Sequence, residues 1–166
     1  MSEPSQAVRD FVAGLELQEI DHYLLSAVRG LPGPDGSRPV IGPGRLDDSS
    51  EIDDSDNELG VFWTDDRARV LVRMHSTLRS DAGEIRVGTQ AEYAVAEEVR
   101  GATAEVEQEF VNRVAIMAIV PYTRAAVAEL SSRVFGVTYT LRVIRPGDIA
   151  FAPRERVAGV IEVESE

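Results

Sequence analysis

Two side chains could carry acid–base chemistry near neutral pH, His22 and His75, and neither stands in a local pattern with a nucleophile or at a metal-ligand spacing. His75 falls at an alternate position of a strand-like run beside Arg73, the usual place of a solvated or hydrogen-bonded histidine. Asp21-His22-Tyr23 could be imagined as part of an acid–base set, but adjacent residues on a strand point to opposite faces. No GxSxG, GxGxxG or HExxH occurs. Cysteine is absent, which removes disulfides, thiolate catalysis and cysteine-bound zinc. All 17 basic residues are arginine, so a side-chain Schiff base and a Walker-type phosphate loop are excluded as well. Asp54, Asp56 and Glu58 alternate as in a calcium loop, yet Leu59 stands where the sharp turn needs glycine and no closing glutamate follows. The expectation is no catalytic residue, no metal and no cofactor.

Charge narrows the partners. A net charge of −12 opposes nucleic-acid binding, since phosphate contacts reward cations. The N-terminal MSEPSQAVRD lacks the charged-then-apolar pattern of a signal, and no run approaches the length of apolar residues that spans a bilayer. The chain reads as unexported and cytoplasmic, without direct membrane insertion. Its 166 residues suit one domain that buries roughly 70% of the surface of its unfolded chain.

The elements that must position any site begin with the longest apolar-rich segment, 110–135. At a helical period, Ile116, Ile119, Val120, Val127, Leu130 and Val134 fall on one side, and Ala115, Ala118, Tyr122 and Ala125 on the other. A helix with two dry faces needs two partners: a sheet for the large residues, and a second helix or second copy of the chain for the alanine face. Pro121 lacks an N–H and crowds the carbonyl of Met117, so a kink or break is expected there. Thr103 suits an N-cap, and Gly136 suits closure of the helix.

Upstream, Val70, Val72, Met74, Ser76 and Leu78 alternate with Arg69, Leu71, Arg73, His75, Thr77 and Arg79, and Ile85 to Val95 alternates likewise after a turn with Gly83. Together they predict an antiparallel hairpin. Val61–Thr64 predicts a short strand, while Leu15–Val28 suits helix or strand equally by period. Residues 1–14 read as a loose N-terminus. Residues 30–57 read as a mobile loop, first rich in proline and glycine, then acidic through 47–58. Pro146-Gly147-Asp148 predicts a turn before a short terminal helix with Ile149 and Phe151, interrupted by Pro153, and 153–166 reads as a tail.

Pro121-Tyr122-Thr123-Arg124, followed by Val127, Leu130, Ser132-Arg133 and Phe135, resembles the PYxR helix of the SecB family of export chaperones. The upstream hairpin, its spacing to that helix, and the IRPGDIAF stretch extend the resemblance over about residues 15–152. It implies an α+β fold: a four-stranded antiparallel sheet with a long kinked helix and a short terminal helix on one face, Leu15–Val28 being the first strand. It further implies a homo-oligomer, dimer or tetramer, assembled through the long helix. The implied function is a holdase for unfolded preproteins or antitoxins, and the SecA motor is a further partner that the resemblance implies. Pro153, the lack of a basic SecA-binding tail and the acidic loop depart from the family pattern.

Within that reading Phe62, Trp63, Tyr122, Leu130, Phe135, Tyr139 and Phe151 are the expected client-binding residues, with core packing as their ordinary alternative. Ala115, Ala118, Tyr122 and Ala125 are the expected oligomer interface. Two other readings stand beside it. One is a small α+β enzyme or ligand-binding protein with a sheet–helix pocket using His22 or His75. The other is an interaction module that recognises a folded partner through the acidic loop.

Overall fold

The computed structural model describes residues 5–30, 54–80 and 83–141. Its centre is a four-stranded antiparallel sheet in the order β1-β4-β3-β2. The strands are β1 (Leu15–Arg29), β2 (Asp54–Trp63), β3 (Arg69–Ser80) and β4 (Gly83–Val95). The predicted hairpin is β3–β4, paired from Arg69↔Ala94 to Ser80↔Gly83. Gly83 has φ 139°, a conformation that L side chains rarely adopt.

Alternation sorts the sheet into two faces. Val70, Val72, Met74, Ala91, Tyr93 and Val95 face inward and pack on the helical layer. That layer is α1 (Gln6–Ala13), a 3-10 turn Glu97–Val99, α2 (Ala104–Phe110), a π-helical turn Val111–Ala115, and α3 (Ile116–Phe135). Thr103 caps α2 by accepting the Val106 N–H, and Gly136, at φ 78°, closes α3 in the left-handed region. Phe110 stands at the hub, edge-on to Phe11 at 5.5 Å and to Tyr93 at 5.3 Å. A second cluster, Leu78, Ile85, Val87, Ala126, Val127, Phe135 and Tyr139, fills the far end of the sheet.

Several expectations are corrected. The N-terminus is not loose through residue 14: Ser5 caps α1, and Val8 and Phe11, three apart on one helix face, are 2% exposed. The strand expected at 61–64 starts earlier, at Asp54, so part of the acidic stretch pairs with β3, Asp56 opposite Thr77 and Glu58 opposite His75. Its regular partner strand, rather than its own propensity, holds it extended. Residues 31–53 lie outside the described residues, as do 142–166 with the expected turn, terminal helix, Phe151 and tail.

The break in the long helix is also displaced. Pro121 lies within α3 on the exposed side, and the irregular turn is at Val111–Ala115, where the Ile116 N–H reaches Val111 O. Buried residues step by five from Phe110 and Val111 to Ala115 and Ile116, then by four to Ile119 and Val120. A 3.6-residue period cannot keep that first step on one face, and a wider turn can. Ala115 is consequently fully buried against the sheet, not part of an outer alanine face. At about 100° per residue it lies only about 40° from Ile119, on the flank the core occupies.

Candidate functional site

The face of the sheet turned away from the helices is built from Arg69, Leu71, Arg73, His75, Thr77 and Arg79 of β3 and their direct partners on β2 and β4. Two glycines interrupt it, Gly60 opposite Arg73 and Gly88 opposite His75. Each gives an aromatic ring room to lie down. A Cβ on Gly60 would come within 2.8 Å of the Phe62 ring, and one on Gly88 within 2.5 Å of the Tyr23 ring. Tyr23 reaches this place because β1 shifts register between His22 and Leu24, inserting one extra residue.

Between the two rings lies Arg73. Its guanidinium carbon is 5.2 Å from the Tyr23 ring centroid and 5.0 Å from that of Phe62, and Nε donates to Gln90 Oε1 at 2.9 Å. Arg69, Arg79 and Arg86 on the same sheet pair with Glu92 or Glu84, and the two arginines hold the Glu84 carboxyl below its usual range, Arg79 contributing most. Burial pushes the Tyr23 hydroxyl up, with Arg73 opposing and Glu58 adding. Phe62 remains 51% exposed and Tyr23 42% exposed. The result is a row of aromatic, cation, aromatic laid across an open sheet, with no helix of the described chain over it.

The row continues round the end of β2. A cavity of about 390 Å³ is lined by Val61, Phe62, Trp63, Thr64, Asp65 and Arg67. Arg67 forms its wall: the guanidinium stacks 4.2 Å from the Trp63 ring and pairs with Glu107 of α2. The backbone of Arg67 is left-handed at φ 55°, within a turn tied by Thr64 and Asp66. The Ala68 N–H and the Thr64 hydroxyl hold the Asp66 carboxyl low.

A second open apolar region lies along the edge strand β1 on the helix side of the sheet. Leu17, His22 and Leu25 pair with Tyr93, Thr89 and Val87, whose side chains face the helices, yet Leu17 and Leu25 are exposed. On α3 the outward Tyr122 and Ala125 are exposed and Ala118 is half-buried.

The expected client residues thus separate. Phe62 and Trp63 meet at the cavity, Trp63 partly buried against the core. Tyr122 is on the outer side of α3, away from them, and Leu130 packs on the second cluster. Phe135 and Tyr139 are core residues, 5% and 4% exposed, edge-on at 6.1 Å. Ser131 explains this: its hydroxyl oxygen accepts the Tyr139 N–H at 2.8 Å and donates to Ala128 O, folding the chain after α3 back onto the helix. Tyr23, Arg73 and Gln90 escaped sequence reasoning. Their signal was glycine at two interior strand positions, which marks close approach. His22 and His75 do not meet; His22 faces α3 and His75 the open side. Among the described residues no group of three or more His, Asp and Glu side chains is placed to hold a metal ion.

No protein-family model matches the sequence, and no curated protein matches it either. Among solved structures the chain is similar to the Mycobacterium tuberculosis Rv1957 SecB-like chaperone, determined in complex with a ChAD peptide from the Rv1956 HigA1 antitoxin. The TM-score is 0.63 at 17% identity, over 85% of this chain and 98% of that one. The chain therefore has the SecB-like fold, as the PYxR helix and hairpin implied.

Proposed function

We propose that this chain is a holdase, a chaperone that binds unfolded or newly made polypeptide segments, and not an enzyme. The observation that carries the reading is the Tyr23–Arg73–Phe62 row, uncovered among the described residues, running into the Trp63 cavity on a SecB-like fold. An unfolded segment offers apolar side chains in no fixed order, and broad adaptable apolar surface suits it better than a few placed donors. Rings half open to water can still gain from being covered, roughly 2–3 kcal/mol each at about 25 cal/mol/Å² before ordering costs. The antitoxin peptide on the structural neighbour favours an antitoxin as client over a preprotein bound for SecA.

The supporting test is suppression of aggregation of a chemically denatured protein. Replacing Tyr23 and Phe62 together by serine should weaken suppression at least tenfold in the concentration required, with the fold intact because both side chains are about half exposed and lie outside the two core clusters. Unchanged suppression by a folded double variant would remove this site.

The same reading includes self-association through β1 and the outer side of α3, supported by exposed Leu17, Leu25 and Tyr122 beside a strand that is at the sheet edge among the described residues. Ala118→Arg should shift a dimer or tetramer to protomers, since an unpaired charge buried at the contact costs several kcal/mol. Sedimentation of the unmodified chain as a folded protomer at every concentration would remove the association.

A further inference from the structure

His22 lies in the middle of the β1 strip proposed for self-association, between Leu17 and Leu25 on the helix-facing side of the strand. Its Nδ1 is 3.1 Å from Thr89 Oγ1, and Thr123 of α3 donates to the same Thr89 oxygen at 2.9 Å, with Ile119 O a second acceptor for Thr123 at 3.4 Å. Both threonines are fully buried. This chain can run in either direction. With a neutral ring, Thr123 donates to Thr89 and Thr89 to Nδ1; with a protonated ring, Nδ1–H donates to Thr89, Thr89 to Thr123, and Thr123 to the Ile119 carbonyl. The isolated protomer accommodates both forms, and the half-exposed ring keeps access to water.

We propose that His22 makes self-association acid-labile, an inference that rests on the β1–α3 association above. Covering the strip would take the ring from water among Leu17, Leu25 and Tyr122, where an imidazolium is disfavoured and a neutral ring is not. Among the described residues, the groups around it offer no compensating charge. On β1, Asp21 is directed to the opposite face of the sheet, opposite Gln90, and the Tyr23 ring lies over Gly88. From β4 come Val87, Thr89 and Ala91, and from α3 Ile119 and Thr123, flanked in sequence by Tyr122 and Arg124. Among the described residues no carboxylate pairs with His22. The sign follows from linkage: the dissociated protomer binds the proton more readily, so association is favoured at neutral pH and weakens in mild acid.

The test is sedimentation velocity of the full chain at pH 7.5 and 5.5, with His22→Gln and His75→Gln. Glutamine keeps a partner for Thr89 without titrating. The dissociation constant of the unmodified dimer should rise by up to about a hundredfold between the two pH values, about tenfold from each His22, and that of His75→Gln should rise equally. His22→Gln should associate alike at both values. Retained acid dissociation in His22→Gln, or a pH-independent unmodified chain that does associate, overturns the switch and leaves the association standing. A protomer at both pH values overturns both.

Discussion

Gly88 allows the Tyr23 ring to lie flat beside Arg73, and it does so by lacking a Cβ. Gly88→Ala should push the ring aside at a stability cost of about 1–2 kcal/mol, because the nearest obstruction is the far end of a side chain that can rotate. Client holding should fall more than stability does, as measured by aggregation suppression against a thermal melt. Arg73→Lys should behave similarly: an ammonium keeps the charge but loses the flat stacking on two rings. Tyr93 tests the core instead. Its hydroxyl is buried without a hydrogen-bond partner among the described residues, and burial pushes its ionisation up to about 12. The neutral phenol is the folded form, so stability should be full below about pH 10 and decline as pH rises from there through 12. Tyr93→Phe should remove that alkaline decline with little loss of stability at neutral pH, read by denaturant melts across the range.

The long helix shows how far a pattern can be read from its own residues. Its sheet-facing side at Ile116, Ile119, Val120 and Val127 was legible because α3 keeps an ordinary period there. The π turn was not, since the five-residue step between Phe110–Val111 and Ala115–Ile116 becomes a signal only when all four are known to face one core. Removing one residue from 111–115 should rotate everything upstream by about 100° and turn Phe110 from its hub, costing more than about 3 kcal/mol in a denaturant melt. Pro121 is its converse: exposed, inside a continuous helix, and without a donor for Met117 O, so Pro121→Ala should stabilise by about 1–3 kcal/mol. The hairpin β3–β4 was legible from strict alternation, whereas β1 needed the family resemblance, because its two register shifts break the period of two. Those shifts also hid Tyr23, and the fold-back held by Ser131 hid the burial of Tyr139.

At the scale of the molecule, the proposed function gives the two sides of the sheet separate tasks. The helix side carries the core and, at its β1 margin, the strip with His22 that suits a second copy; the open side carries the row from Tyr23 to the Trp63 cavity that suits a client. This division makes the activities separable, so Ala118→Arg should dissociate the assembly while each protomer retains its client row, and Tyr23→Ser with Phe62→Ser should do the reverse. The most direct measurement is chemical-shift mapping of backbone amides in the full chain on addition of a permanently unfolded polypeptide. Changes concentrated in β2 and β3 around Gly60–Thr64 and Arg73, and lost in the Tyr23→Ser, Phe62→Ser variant, are the predicted result. A bound polypeptide that leaves those amides unmoved and perturbs only α3 and β1 would contradict it.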